Sequence, residues 1–77
     1  MKINILLFGR LTDITGKDAF TLQDISDTDQ LTKTLHQAYP QLAEANYILA
    51  VDKNVVATNT ALTNDCTVAL LPPFSGG

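Results

Sequence analysis

Apolar residues recur with different periods along the chain, and each change of period marks a new element. Lys2 to Phe8, Lys-Ile-Asn-Ile-Leu-Leu-Phe, alternates at its start and runs apolar at its end, the pattern of a strand half-covered and then buried. Gly9 to Gly16 is too long for a tight hairpin turn; Leu11 and Ile14, bracketed by the two glycines, predict one helical turn tucked on the core. Phe20 and Leu22 share one face of a second strand over Lys17 to Gln23, running back antiparallel to the first. From Asp27 to Tyr39 the period becomes helical, with Leu31, Leu35, Ala38 and Tyr39 on one face. Asp27 and Gln30 fit a capping box, Asp29 suits the positive end of the helix dipole, and Pro40 forces the stop. His36 falls beside Leu35 on this helix and reads as a solvated or rim histidine, because no second ligand candidate accompanies it.

Gln41 to Asn46 reads as an irregular connection anchored by Leu42. Tyr47 to Val51 is an apolar strand, and Lys53-Asn54 predicts a tight hairpin into Val55-Val56-Ala57. Thr58 to Asp65 is polar and turn-rich over an anchoring Leu62, and Asn64-Asp65 turns the chain into Cys66 to Leu71, a strand apolar enough to be central. The order is ββαβββ, with the only long helix crossing between two hairpins. This pattern predicts an α+β fold, a mixed five-stranded sheet packed on one main helix, which is the β-grasp or ubiquitin-like arrangement. Its first and last strands pair in parallel at the centre. The expected core includes Leu6, Phe8, Leu22, Leu31, Leu35, Ile48, Val51, Val68 and Leu70.

Composition narrows the class. A chain of 77 residues is one small domain near the lower limit for folding without disulfides or metals. With 45% hydrophobic residues it is globular. The single Cys66 excludes an internal disulfide and reads as a small half-buried residue, and no Cys/His cluster offers a zinc site. A reducing, cytoplasmic setting is expected. No membrane span or signal peptide is read. A net charge of −3 argues against nucleic acid and favours basic protein partners. No paired carboxylates, nucleophile–base set or metal cluster suggests an autonomous enzyme.

The candidate chemistry lies at the end, in Ala69-Leu70-Leu71-Pro72-Pro73-Phe74-Ser75-Gly76-Gly77. Residues 1–71 are read as the domain and 72–77 as an extended tail. Two prolines cannot donate to a sheet ladder, so the strand must stop and leave stiffly. The six residues from Pro72 span roughly 20 Å when extended, at about 3.3 Å each. Gly76 and Gly77 lack Cβ and can thread a channel closed to other residues. The carboxylate of Gly77 is therefore the candidate reactive group. Frayed, glycine-rich termini are common, and an inert end is the competing reading. Phe74, beyond reach of the domain's own core, is expected to be exposed in the free protein and buried against a partner.

Leu7-Phe8-Gly9-Arg10-Leu11-Thr12-Asp13-Ile14-Thr15-Gly16, Tyr39-Pro40, and Val68 to Gly77 together resemble the MoaD family of sulfur carriers, the small subunits of molybdopterin synthase. The ending Pro-Pro-Phe-Ser-Gly-Gly is the most specific part. The chain departs from the family pattern at Thr12-Asp13, Asp52 and Asn64-Asp65. The resemblance implies that an E1-like adenylating enzyme, using ATP and Mg, activates Gly77 and that sulfur then displaces AMP to leave a thiocarboxylate. It implies further that Pro72, Pro73, Phe74, Ser75 and Gly76 enter a large synthase subunit, within a heterotetramer, where sulfur passes to a pterin precursor. No cofactor is expected on this chain, which has no phosphate-cradling glycine loop followed by lysine. Sulfur carriers for thiamine or tRNA thiolation, protein conjugation, and a ubiquitin-like binding module with an inert tail remain alternatives.

Overall fold

The computed structural model describes residues 1–73. Five strands, β1 (Lys2–Leu7), β2 (Ala19–Gln23), β3 (Ile48–Val51), β4 (Asn54–Val56) and β5 (Thr67–Leu71), form one sheet in the order β2-β1-β5-β3-β4. Helices α1 (Leu11–Thr15), α2 (Thr28–Ala38) and α3 (Pro40–Glu44) contribute to one core. β1 pairs antiparallel with β2 and parallel with β5, and β3 pairs antiparallel with β5 and with β4. The mixed α+β sheet of the β-grasp fold is thus present, with β5 at its centre.

The core sits between the sheet and α2. Ile3, Ile5 and Leu7 of β1 meet Val68 and Leu70 of β5, and Leu31 and Leu35 of α2 close over them. Leu11, Ile25, Leu42 and Leu62 seal its margins. Leu22 and Val51 pack against it while half-buried. Three of the expected core positions are wrong. Leu6 and Phe8 lie on the opposite face of β1 from Ile3, Ile5 and Leu7, and Phe8 is 45% exposed. Within the run Ile5-Leu6-Leu7-Phe8 the period of two disappears, so either phase fits; Ile3 and Ile5 between polar Lys2 and Asn4 carry the deciding signal. Ile48 shares this error, since Leu49 and Val51 face the core and Ile48 pairs with Leu71 on the other side.

Helix α2 begins as its cap predicts. Asp27 accepts a hydrogen bond from the Gln30 amide at 2.8 Å, and the Gln30 side chain reaches back to the Ser26 amide at 2.8 Å, one residue before the usual capping-box partner. The loop before β5 is fastened there too: Asn59 Oδ1 accepts from the Asp29 amide, and the Thr60 amide donates to Thr28 Oγ1, both at 2.9 Å. Pro40 ends α2 but also starts α3 at its first turn, so the expected irregular segment is a short helix. The hairpin turn is Asp52-Lys53 instead of Lys53-Asn54, with φ of 47° and 73°. Asp52 is drawn there because its carboxylate accepts from the Thr67 amide at 2.9 Å, tying the turn to β5. Cys66 is buried more deeply than expected, at the entrance to β5. Among the described residues no helix is long and apolar enough to cross a membrane.

His36 is half-buried, its Nε2 2.7 Å from Tyr47 Oη and its ring edge-on to the tyrosine. Burial pushes the Tyr47 phenol above its ordinary value. The fold therefore favours the neutral phenol; that contribution is whole below the unfolded value of about 10 and is lost as pH rises through the higher folded one. In alkaline melts Tyr47→Phe should show a shallower decline in midpoint than the parent; an identical decline would contradict this. Leu35→Ala, truncating a fully buried side chain under the sheet, should cost about 2–5 kcal/mol in denaturant unfolding.

Candidate functional site

The central strand carries the chain to its exit. β5 is held on both sides, with Leu6↔Ala69 and Leu7↔Leu70 toward β1 and Leu49↔Leu70 and Ile48↔Leu71 toward β3. One further rung, from the Phe8 amide to the Leu70 carbonyl at 3.2 Å, grips it near the end of the strand. β5 ends at Leu71; Pro72 and Pro73 follow, exposed. The loop after β1 closes on the exit. Gly9 holds φ of 60°, and a Cβ built on it would stand 2.7 Å from Pro72 Cγ.

Two concavities flank the exit. On the side of α1 and α3 a groove of about 550 Å³ is lined by Arg10, Asp13, Gln41, Glu44, Pro72 and Pro73, over a floor of Leu11, Ile14 and Ala45. Its rim mixes one cation with two carboxylates. On the open face of the sheet lies an apolar dish of about 610 Å³, formed by Leu6, Phe8, Ala50, Val55, Ala69 and Leu71, with Asp52, Lys53 and Thr67 at its edge. The strand registers explain its shape. Leu6, Ala69, Ala50 and Val55 form one row across four strands, small in the middle and large at both ends. Phe8 and Val55, 45% and 63% exposed, stand on this face, and Leu71 joins it to Pro72.

Of the site residues expected from sequence, Pro72 and Pro73 sit at the exit and line the polar groove. Phe74, Ser75, Gly76 and Gly77 lie outside the described residues. The apolar dish is absent from the expectations drawn from sequence, which place Leu6 and Phe8 in the core. Its signal is present all the same: two adjacent strands with consecutive apolar residues need cover on both faces, and a single long helix covers one. Among the described residues no group of three or more His, Cys, Asp or Glu side chains could hold a metal ion.

A mixed five-stranded sheet on one long helix, with a central last strand leading out through two prolines, defines a ubiquitin-like β-grasp protein. The model of the ThiS family matches residues 5–77, and the chain belongs to that family. It is 29% identical over 82 aligned positions to the molybdopterin synthase sulfur carrier subunit of Mycobacterium tuberculosis, covering 100% of this chain and 99% of the relative. The subunit of the same name from Dictyostelium discoideum is 30% identical over 84 positions, covering 99% and 96%. Among solved structures, SAMP1 from Haloferax volcanii superposes with a TM-score of 0.81 at 20% identity over the full length of both chains. A complex of subunits 1 and 2 of the molybdopterin-converting factor from Helicobacter pylori contains a chain matching with a TM-score of 0.75 at 21% identity, again over both full lengths. These likenesses establish the fold.

The strand phase gives a direct test of the dish. Phe8→Ser should change unfolding free energy by no more than about 0.5 kcal/mol, as for an exposed position. Its neighbour Leu7→Ala should cost about 2–5 kcal/mol. Denaturant melts giving the reverse order would return Phe8 to the core.

Proposed function

We propose that this chain is the sulfur carrier subunit of a molybdopterin synthase, with the carboxylate of Gly77 as the atom group that acquires and delivers sulfur. The supporting observation is the exit itself. A central strand, bonded on both sides, leads into Pro72-Pro73, and Phe74-Ser75-Gly76-Gly77 follows in sequence. The names of the two relatives from Mycobacterium tuberculosis and Dictyostelium discoideum support the choice of pathway.

A carboxylate is a poor acceptor for sulfur because its oxygen is a poor leaving group. An E1-like partner with ATP and Mg overcomes this by letting a carboxylate oxygen of Gly77 attack the α-phosphorus. Pyrophosphate leaves and an acyl-adenylate forms. A sulfide-equivalent nucleophile then adds to the carbonyl carbon and AMP departs with the C–O electron pair, leaving a thiocarboxylate. In the synthase the thiocarboxylate sulfur bonds to a carbon of the pterin precursor, giving a thioester. Water then adds to the acyl carbon, the acyl C–S bond breaks with its electron pair going to sulfur, and the carboxylate is returned. The catalytic groups and the nucleotide belong to the partners. In this cytoplasmic carrier the chain supplies docking surface and a thread of fixed length.

The apolar dish is the docking surface for the large subunit. It is continuous with the exit through Leu71, and large exposed apolar patches mark protein contacts. Phe74, two residues after Pro72 in the sequence, is the second anchor of this reading. Phe74→Ala and Phe8→Ala should each weaken the complex by more than about 1 kcal/mol in calorimetry. Unchanged affinities would remove the dish and the anchor from the interface.

The length of the thread provides the decisive test. Incubation with the activating enzyme, ATP, Mg and a sulfur donor should give an intact mass in which one oxygen is replaced by sulfur. Adding a residue after Gly77, or deleting Gly77, displaces the reacting carbon by about 3.3 Å. A misplacement of about 1 Å can cost a hundredfold in rate, so both variants should fail to gain sulfur. Their thermal stability should remain that of the parent. Normal sulfur gain and normal molybdopterin formation by the lengthened variant would make the tail a mere tether, with no fixed length required.

A further inference from the structure

The loop joining β1 to α1 does more than connect them. Gly9 has φ of 60°, in the region that favours glycine, and its missing Cβ leaves the space into which the Pro72 ring fits. A Cβ there would lie 2.7 Å from Pro72 Cγ, with Pro72 Cδ and Cβ at 3.7 and 3.8 Å. Contacts under 3.0 Å are essentially never made by real Cβ atoms, so one side of this contact would have to move. The loop is the less able to do so. The Gly9 carbonyl accepts from the Thr12 amide at 3.2 Å and from Thr12 Oγ1 at 2.8 Å, and the Phe8 amide on its other side is bonded to Leu70. Pro72 is exposed and lies beyond the last rung of the ladder. The proline would yield.

We propose that Gly9 is a positioning residue for sulfur transfer: its bare backbone seats the Pro72 ring and so sets the direction in which the chain leaves the sheet. The inference rests on the carrier reading, because only a reacting group downstream of Pro72 makes that direction matter. A methyl group on Gly9 would have to push the ring by 0.3 Å to reach even the tightest real contact of 3.0 Å, and by 0.7 Å to reach ordinary contact at 3.4 Å. Pro73 has a fixed φ and no freedom to absorb the change at its own nitrogen. Whatever part of the displacement the ring does not take up by changing its pucker is therefore passed on along the chain.

The fold supplies its own control. Gly16 has φ of 73°, yet a Cβ there would meet nothing within 4 Å. Gly16→Ala carries the same kind of backbone strain as Gly9→Ala without the collision. The test compares Gly9→Ala, Gly16→Ala, Pro72→Ala and the Gly9→Ala/Pro72→Ala double variant, in rate of thiocarboxylate formation by intact mass and in thermal midpoint. Gly9→Ala should lower kcat for activation at least tenfold with KM changed less than threefold, and Gly16→Ala should leave both near the parent values. In the Pro72→Ala background the Cγ is gone, and adding Gly9→Ala should then change the rate by less than threefold. The midpoints should show the same non-additivity: Gly9→Ala lowers the midpoint more than Gly16→Ala, and the excess vanishes when Pro72 is replaced. Equal rate losses in Gly9→Ala and Gly16→Ala, or a Gly9→Ala effect that persists undiminished in the Pro72→Ala background, would overturn the proposal. If the parent itself gained no sulfur, the carrier reading would fall; non-additive midpoints would then still establish the seat, and additive ones would remove it as well.

Discussion

The parallel pairing of β1 with β5 is the constraint on which the rest of this small protein depends. It joins the two ends of the described chain, Asn4 opposite Thr67 and Leu7 opposite Leu70, and can form only after everything between has been folded back. Such long-range closure carries an entropic cost that local contacts do not. The compensation lies in the core: Ile5 and Val68 are direct partners, both fully buried, under Leu31 and Leu35. Polar stitches reinforce the same seam. The Lys2 amide donates to Asn64 Oδ1, the Asp65 amide to the Lys2 carbonyl, and the Asn4 amide to the Cys66 carbonyl, all within 2.9 Å.

Placing the last strand at the centre has a mechanical consequence. A strand at a sheet edge can peel away one bond at a time, whereas β5 is bonded to β1 on one side and β3 on the other. Asp52 adds a further clasp through the Thr67 amide, at the far end of the strand from the exit. A pull on the segment beyond Pro72 is therefore resisted by the whole sheet.

The single layer of helices has a second consequence. A chain this short can cover one face of a five-stranded sheet, and α2 does so. The other face remains open, yet its middle is apolar, with Ala69 and Ala50 side by side between Leu6 and Val55. Such a face carries a solubility cost for the free protein that the net charge of −3 partly offsets. The same face is continuous with Leu71, the residue that leads into Pro72.

The order of the strands and the long helix, the cap of α2 at Asp27, the central place of β5 and the stop at Pro72-Pro73 were legible in the sequence, whereas the short helix α3 was not. Each legible feature is a local property: a period, a cap residue, a missing N–H. The phase of β1 was legible only at its start, where Ile3 and Ile5 alternate with polar Lys2 and Asn4; Ile5-Leu6-Leu7-Phe8 is apolar on both sides and hides it, and the helix packed on the Ile3 and Ile5 face decides. Tertiary structure likewise decides the side taken by Ile48, and the turn at Asp52-Lys53, which is drawn one residue upstream by a hydrogen bond to a strand fifteen residues away. The exit shows the division most clearly. That the strand must end at Pro72 follows from the proline itself. That Gly9, more than sixty residues earlier, must lack a side chain for Pro72 to lie where it does follows from the parallel pairing, which brings the two together and which no local pattern encodes.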